Sequence, residues 1–201
     1  MKRVAVIACG ALALDVRAIA RRRGWEVDLY PVPAPLHNRP AQIPDAVADE
    51  LVRLDGDYER VAVAYGDCGT YGALDELLTS RGIARLAGDN CYDVLARDEV
   101  QVAMAEQPGT YLLTDFLART FEHTVIRELG LDRRPELLAD YFRHYTRVLW
   151  LAQRRTPENL AAAQRAAGRL ELPLEVMSVG NIGLERALER LVEPVASEDR
   201  P

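Results

Sequence analysis

Short apolar runs alternate with longer amphipathic stretches along almost the whole chain. Residues 3–8 read as a strand, their continuous apolar run Val4-Ala5-Val6-Ile7-Ala8 being the pattern of burial on both faces. Similar strand-like runs recur at 26–31, 60–65, 83–87, 109–113, 146–151 and 173–179. Helical periodicity fills the intervals at 13–23, 41–54, 73–80, 92–105, 115–129, 157–168 and 181–192, with a short helix opened by Pro135. Thr114-Asp115 and Pro157 are helix-start signals, and Gly130 is a stop. The stretch Pro31-Val32-Pro33-Ala34-Pro35 is expected to be an extended loop.

Strands separated by helices demand long crossovers, and long crossovers mean parallel pairing. The expected fold is therefore α/β: a three-layer α/β/α domain over residues 1–193, with a mostly parallel sheet of six or seven strands. Residues 194–201 read as a flexible polar tail.

Composition narrows the partners. A net charge of −6 argues against nucleic acid, which needs a basic surface. Lys2 is the only lysine, so the positive charge is almost all arginine, and Arg21-Arg22-Arg23 reads as the solvated end of the first helix. No apolar stretch approaches the ~18 residues of a membrane span. Met1-Lys2-Arg3 leads into an apolar run too short for a secretory signal, and three widely spaced cysteines suit a reducing compartment. A cytoplasmic location is expected.

The cysteines carry the chemistry. Cys9 closes the first strand, Cys68 follows the third, and Cys91 lies just past the fourth, while His37 follows the second. Open parallel sheets place their chemistry at the carboxyl ends of their strands. Three thiolates and an imidazole make a tetrahedral zinc set, and the same donors can hold an iron–sulfur cluster, zinc being favoured. No Cys-x-x-Cys pair supplies a local chelate, so the fold itself must assemble the site. Each cysteine could equally be a small buried hydrophobe. Asp67, Thr114, Asp115, Gln153 and Ser178 are expected on or near the same edge, with Asp67 and Asp115 as candidate acid–base groups.

Gly66-Asp67-Cys68-Gly69-Thr70-Tyr71-Gly72 is the densest local signal, a glycine-rich turn whose amides could cradle an anion. Neither a Walker loop nor a dinucleotide fingerprint is present. Candidate ligand contacts are Gly10, Asn38, Arg39, Gly66, Gly69, Thr70, Tyr92 and Thr114; Asn38 could also cap the helix that follows it. His123 and His144, in helical stretches, read as surface or partly packed residues.

Cys9-Gly10-Ala11-Leu12, Leu36-His37-Asn38, Tyr65-Gly66-Asp67-Cys68-Gly69-Thr70, Cys91-Tyr92-Asp93, Leu113-Thr114-Asp115-Phe116 and Leu129-Gly130-Leu131-Asp132 together resemble a family known as the domain of unknown function 1638, or DUF1638. Asp15 and Asp93 stand where the resemblance implies glutamate. It further implies an association with corrinoid-dependent methyltransferase systems in one-carbon metabolism.

Three functions are open at this stage. One is a metal-binding enzyme or accessory protein using Cys9, His37, Cys68 and Cys91, with a small-molecule or anionic ligand and corrinoid methyltransferase components as partners. Another is a metal-free cysteine enzyme acting on a small carboxylate, since Gly-Asp-Cys-Gly-Thr resembles the thiol loop of cofactor-independent amino-acid racemases. The last is a non-catalytic metal or ligand carrier. The oligomeric state is open.

Overall fold

A computed structural model describes residues 3–54 and 58–193; the expected tail at 194–201 lies outside them. The described chain carries β1 (Val4–Cys9), α1 (Ala13–Arg23), β2 (Val27–Val32), α2 (Ile43–Arg53), β3 (Arg60–Ala64), α3 (Ala73–Thr79), β4 (Ala84–Arg85) and α4 (Cys91–Glu106). There follow β5 (Thr110–Thr114), α5 (Asp115–Phe121), α6 (Leu138–Phe142), β6 (Arg147–Ala152), α7 (Pro157–Arg169), β7 (Leu174–Ser178) and α8 (Ile182–Val192). Every strand pairing is parallel, as the α/β pattern requires.

The strands form two sheets rather than the one expected. β2-β1-β3-β4 make the first and β5-β6-β7 the second. The chain correspondingly divides into two compact units, one running to Val94 and resuming at Asn181, the other Leu95–Gly180. The local reason lies between β4 and β5. β4 has only two residues and β5 pairs only with β6, while α4 is broken at Ala96 (φ −162°, ψ 62°). Hydrophobic period identifies a strand but not its neighbour, so the division is invisible in the pattern.

In the first unit β1 is buried along its whole length, as a central strand covered on both faces must be. α1 packs on α8, and α2 on α3, supplying the two covering layers. Arg22 and Arg23 are not merely solvated: they pair with Glu185, Glu189 and Glu193 at α8 and just beyond it. Such exposed pairs contribute little each, about 0–1 kcal/mol.

The second unit centres on β6, again wholly buried, with Trp150 in a core that also holds Leu113, Phe121 and Ile126. Ala162, Ala163, Ala166 and Ala167 give α7 a face of small residues, and α7 packs on α5. Arg147 is buried and satisfied by Thr110 Oγ1, the Ala103 carbonyl and Glu175. Thr114 caps α5 by accepting from Leu117 N–H, and Thr156 caps α7 from Asn159 N–H.

Candidate thiol–imidazole site

The strand order of the first sheet makes a crevice. From β1 the chain moves to β2 on one side, whereas β3 leads on to β4 on the other, so the carboxyl ends of β1 and β3 flank a topological switch point. Cys9 is the last residue of β1, and Tyr65 directly follows β3. His37 and Cys91 leave the outer strands β2 and β4. Four strands span about 14 Å, so these outer loops must fold inward for the donors to meet.

On the β2 side, Gly10 allows the approach. Its N–H donates to the Val32 carbonyl at 2.8 Å. A Cβ there would stand 2.9 Å from that oxygen and 3.0 Å from the Ala34 nitrogen. The stretch at 31–35, expected as an extended loop, instead ends β2 at Val32 and enters a 3-10 turn at Ala34–Asn38. Pro35 sits in its first turn, where the missing N–H costs nothing. That turn aims His37: Nδ1 donates to the Ala34 carbonyl at 2.9 Å, leaving Nε2 3.7 Å from the Cys9 sulfur. Asn38 ends the turn and caps nothing, Arg39 holding the cap position before the next turn. Asn38 and Arg39 are both exposed.

On the β4 side, pairing continues past the strands. Asp67 N–H donates to the Gly88 carbonyl at 3.0 Å and Cys68 N–H to the Asp89 carbonyl at 2.7 Å. Gly66 fits because a Cβ would press on Asn90 and Gly88 at 3.1–3.2 Å. Asn90 Oδ1 then caps α4 by accepting from the N–H groups of Tyr92 and Asp93, so Cys91 opens that helix beside the Cys68 loop.

The glycine-rich turn is not an open anion cradle. Asp67 Oδ1 accepts from Thr70 Oγ1 (2.7 Å) and Gly72 N–H (3.0 Å), and Oδ2 from the N–H groups of Gly69 (3.2 Å) and Tyr71 (3.1 Å). The amides expected to meet a ligand meet this carboxylate instead. Burial pushes Asp67 upward, but the Gly72, Thr70, Tyr71 and Gly69 donors outweigh it and hold the carboxyl below its usual range. These four bonds shape the loop that carries Cys68. Cys68 is held at φ 53°, Gly69 at 85° and Tyr71 at 51°, a left-handed run that non-glycine residues rarely adopt.

All three cysteines are free, Cys9 buried and the other two half-buried. The Cys9 sulfur accepts from Ala11 N–H at 3.4 Å. Burial disfavours the charged form of His37, yet hydrogen bonding from Cys68 and Cys9 overcomes it and the imidazole is pushed up to about 11. Burial, then charge on Cys9 and Cys68, pushes the Cys91 thiol up. Cys9 and His37 are in contact, and the Cys68 N–H to Asp89 carbonyl bond joins the Cys68 loop to the turn before Cys91. Two ligands on a tetrahedral zinc, with bonds of about 2.3 and 2.0–2.1 Å, stand about 3.6 Å apart; Cys9 and His37 match that spacing. As placed, no three His, Cys, Asp or Glu side chains among the described residues form a closed metal-holding group.

Sequence reasoning missed Tyr65. Its ring stacks on His37 with centroids 5.7 Å apart and planes 16° from parallel. Its position at the end of β3, directly before Gly66, was the available signal.

The remaining expected residues lie in the second unit. Thr114, Asp115, Gln153 and Ser178 belong to the second sheet's carboxyl edge, not the first's. Asp115 is fully buried and accepts from Trp150 Nε1, Gln153 N–H, Arg154 N–H and Asn159 Nδ2 at 2.8–3.2 Å. It holds the loop after β6 to the start of α5, and its oxygens are occupied by those donors. Thr114 serves α5 as a cap. His123 and His144 are exposed.

No helix among the described residues is long and apolar enough to cross a membrane. The family described as "Protein of unknown function (DUF1638)" matches residues 32–188. Comparison with curated proteins and with solved structures finds no match.

Proposed function

The chain belongs to the DUF1638 family of proteins of unknown function, and on that footing we propose that it binds a soft metal ion at the carboxyl edge of its first sheet. Cys9, His37, Cys68 and Cys91 are the ligands. The observation that carries this is the Cys9–His37 pair: 3.7 Å between Sγ and Nε2, with Nδ1 tied to the Ala34 carbonyl. That second hydrogen bond is how metal-ligating histidines are oriented and their free nitrogen aimed. The Ala11 N–H on the Cys9 sulfur is the matching support for a thiolate. A tetrahedral Cys₃His set puts zinc ahead of an iron–sulfur cluster.

A zinc ion that exchanged one of these four ligands for a thiol or a small anion would favour its deprotonated form, which suits methyl transfer to or from sulfur. The link to corrinoid-dependent methyl transfer in one-carbon metabolism, as enzyme or accessory protein, rests on the family resemblance. A reducing, cytoplasmic setting would keep the three thiols free.

The deciding experiment is elemental analysis of the anaerobically purified chain together with thiol titration. One metal per chain and three protected thiols are expected. A chain without metal, whose three thiols all react freely, refutes the site. A visible absorption band would move the assignment from zinc to a cluster.

One observation favours a metal-free cysteine enzyme as the second reading. Cys68 is half-buried and held at φ 53°, its backbone N–H tied to the Asp89 carbonyl at 2.7 Å. Strained turns of this kind present nucleophiles in other enzymes. Metal-stripped protein that turns over a small carboxylate, and loses that turnover in Cys68→Ala, would establish it.

A further inference from the structure

Tyr65 is fully buried, and among the described residues its hydroxyl is the buried side-chain oxygen or nitrogen that lacks any hydrogen-bond partner. Buried phenols ordinarily find an acceptor, because an unsatisfied O–H away from water is costly. The β1–β3 register ends at Ala8 opposite Ala64, which brings Cys9 beside Tyr65, yet the hydroxyl has no hydrogen-bond partner. A neutral thiol is a weak acceptor, whereas a thiolate on a metal is a strong one. The same ring lies flat against His37, limiting the imidazole to one plane.

We propose that Tyr65 is a positioning residue of the metal centre: its O–H donates to the Cys9 sulfur once that sulfur is a metal-bound thiolate, while its ring fixes the plane of His37. This rests on the metal site proposed above. It also explains why an otherwise apolar strand, Val61-Ala62-Val63-Ala64, ends in a tyrosine whose polar atom is buried.

The test compares the wild-type chain with Tyr65→Phe, which keeps the ring and removes the hydroxyl. Both are stripped of metal, then titrated with Co²⁺ and Zn²⁺. Three results are expected of the variant. Its affinity falls about 10–100-fold, as when the outer partners of metal ligands are removed. Its sulfur-to-cobalt charge-transfer band moves to lower energy, because a sulfur that has lost a donor is easier to oxidise. In the metal-stripped state it is at least as stable to heat as wild type, since it no longer buries an unpartnered hydroxyl.

Unchanged affinity and an unchanged band would overturn the role of Tyr65 while leaving the metal site standing. A stripped variant that is less stable than wild type, or fails to fold, would also overturn it, by showing that the hydroxyl already has a partner. Wild-type protein that takes up neither ion removes the metal site and the role of Tyr65 together.

Discussion

The Cys9 sulfur and His37 Nε2 stand 3.7 Å apart although 28 residues separate them in sequence. Cys9 ends the central strand of the first sheet, and His37 rides a 3-10 turn anchored on Ala34. His37→Ala should therefore lower zinc affinity by more than about 100-fold, exceeding the loss typical of an outer partner. Competition against a chromophoric chelator measures it. An affinity within about threefold of wild type would remove His37 from the ligand set.

Gly10 links the fold to that pair. Gly10→Ala would force a Cβ to 2.9 Å from the Val32 carbonyl and 3.0 Å from the Ala34 nitrogen, both backbone atoms that cannot swing away. The expected cost is about 1–3 kcal/mol, the range for overpacking, read by urea unfolding. Because the displaced residue carries the acceptor for His37 Nδ1, zinc affinity should fall in the same variant. A loss of stability with no loss of affinity would show that the turn does not set the imidazole.

Asp67 organises the loop of Cys68 through four donors. Asp67→Asn turns one acceptor into an NH₂ group facing N–H or O–H donors, at a cost of about 1–3 kcal/mol. The loop should loosen, so Cys68 should be alkylated faster than Cys9 or Cys91 relative to wild type, as followed by mass spectrometry. An unchanged modification rate with turnover abolished would instead restore Asp67 as an acid–base group.

Asp115 stands in the second unit with no exposure and four donors. Removing it in Asp115→Ala leaves the indole N–H of Trp150, two backbone amides and the Asn159 amide without their acceptor. Destabilisation of about 3–5 kcal/mol is expected, since each buried donor left unsatisfied costs about 1–3 kcal/mol. Denaturant unfolding monitored by tryptophan fluorescence reports it. A variant of wild-type stability would contradict the structural role.

Much of the architecture follows from local pattern. The unbroken apolar runs of β1 and β6 are legible as strands covered on both faces, because burial on two sides leaves no polar alternation. The cap at Thr114 and the proline that opens α7 are legible for a similar reason: they act within a few residues of where they stand. Membership of the DUF1638 family was likewise readable, from motifs gathered around the cysteines, His37 and Asp115.

What only the tertiary structure decided is which strand neighbours which, and so which polar groups share an edge. Parallel strands pair through long crossovers, and nothing local in β4 or β5 states that they belong to different sheets. Hence Cys9, His37, Cys68 and Cys91 close or follow strands of the first sheet, while Thr114, Asp115, Gln153 and Ser178 belong to the second. Asp67 could be read as an acid–base group until its four donors were seen, and Tyr65 as an ordinary strand residue until its hydroxyl was found without one acceptor. Composition and period report what a residue is; the satisfaction of a buried polar group depends on atoms brought to it from distant parts of the chain.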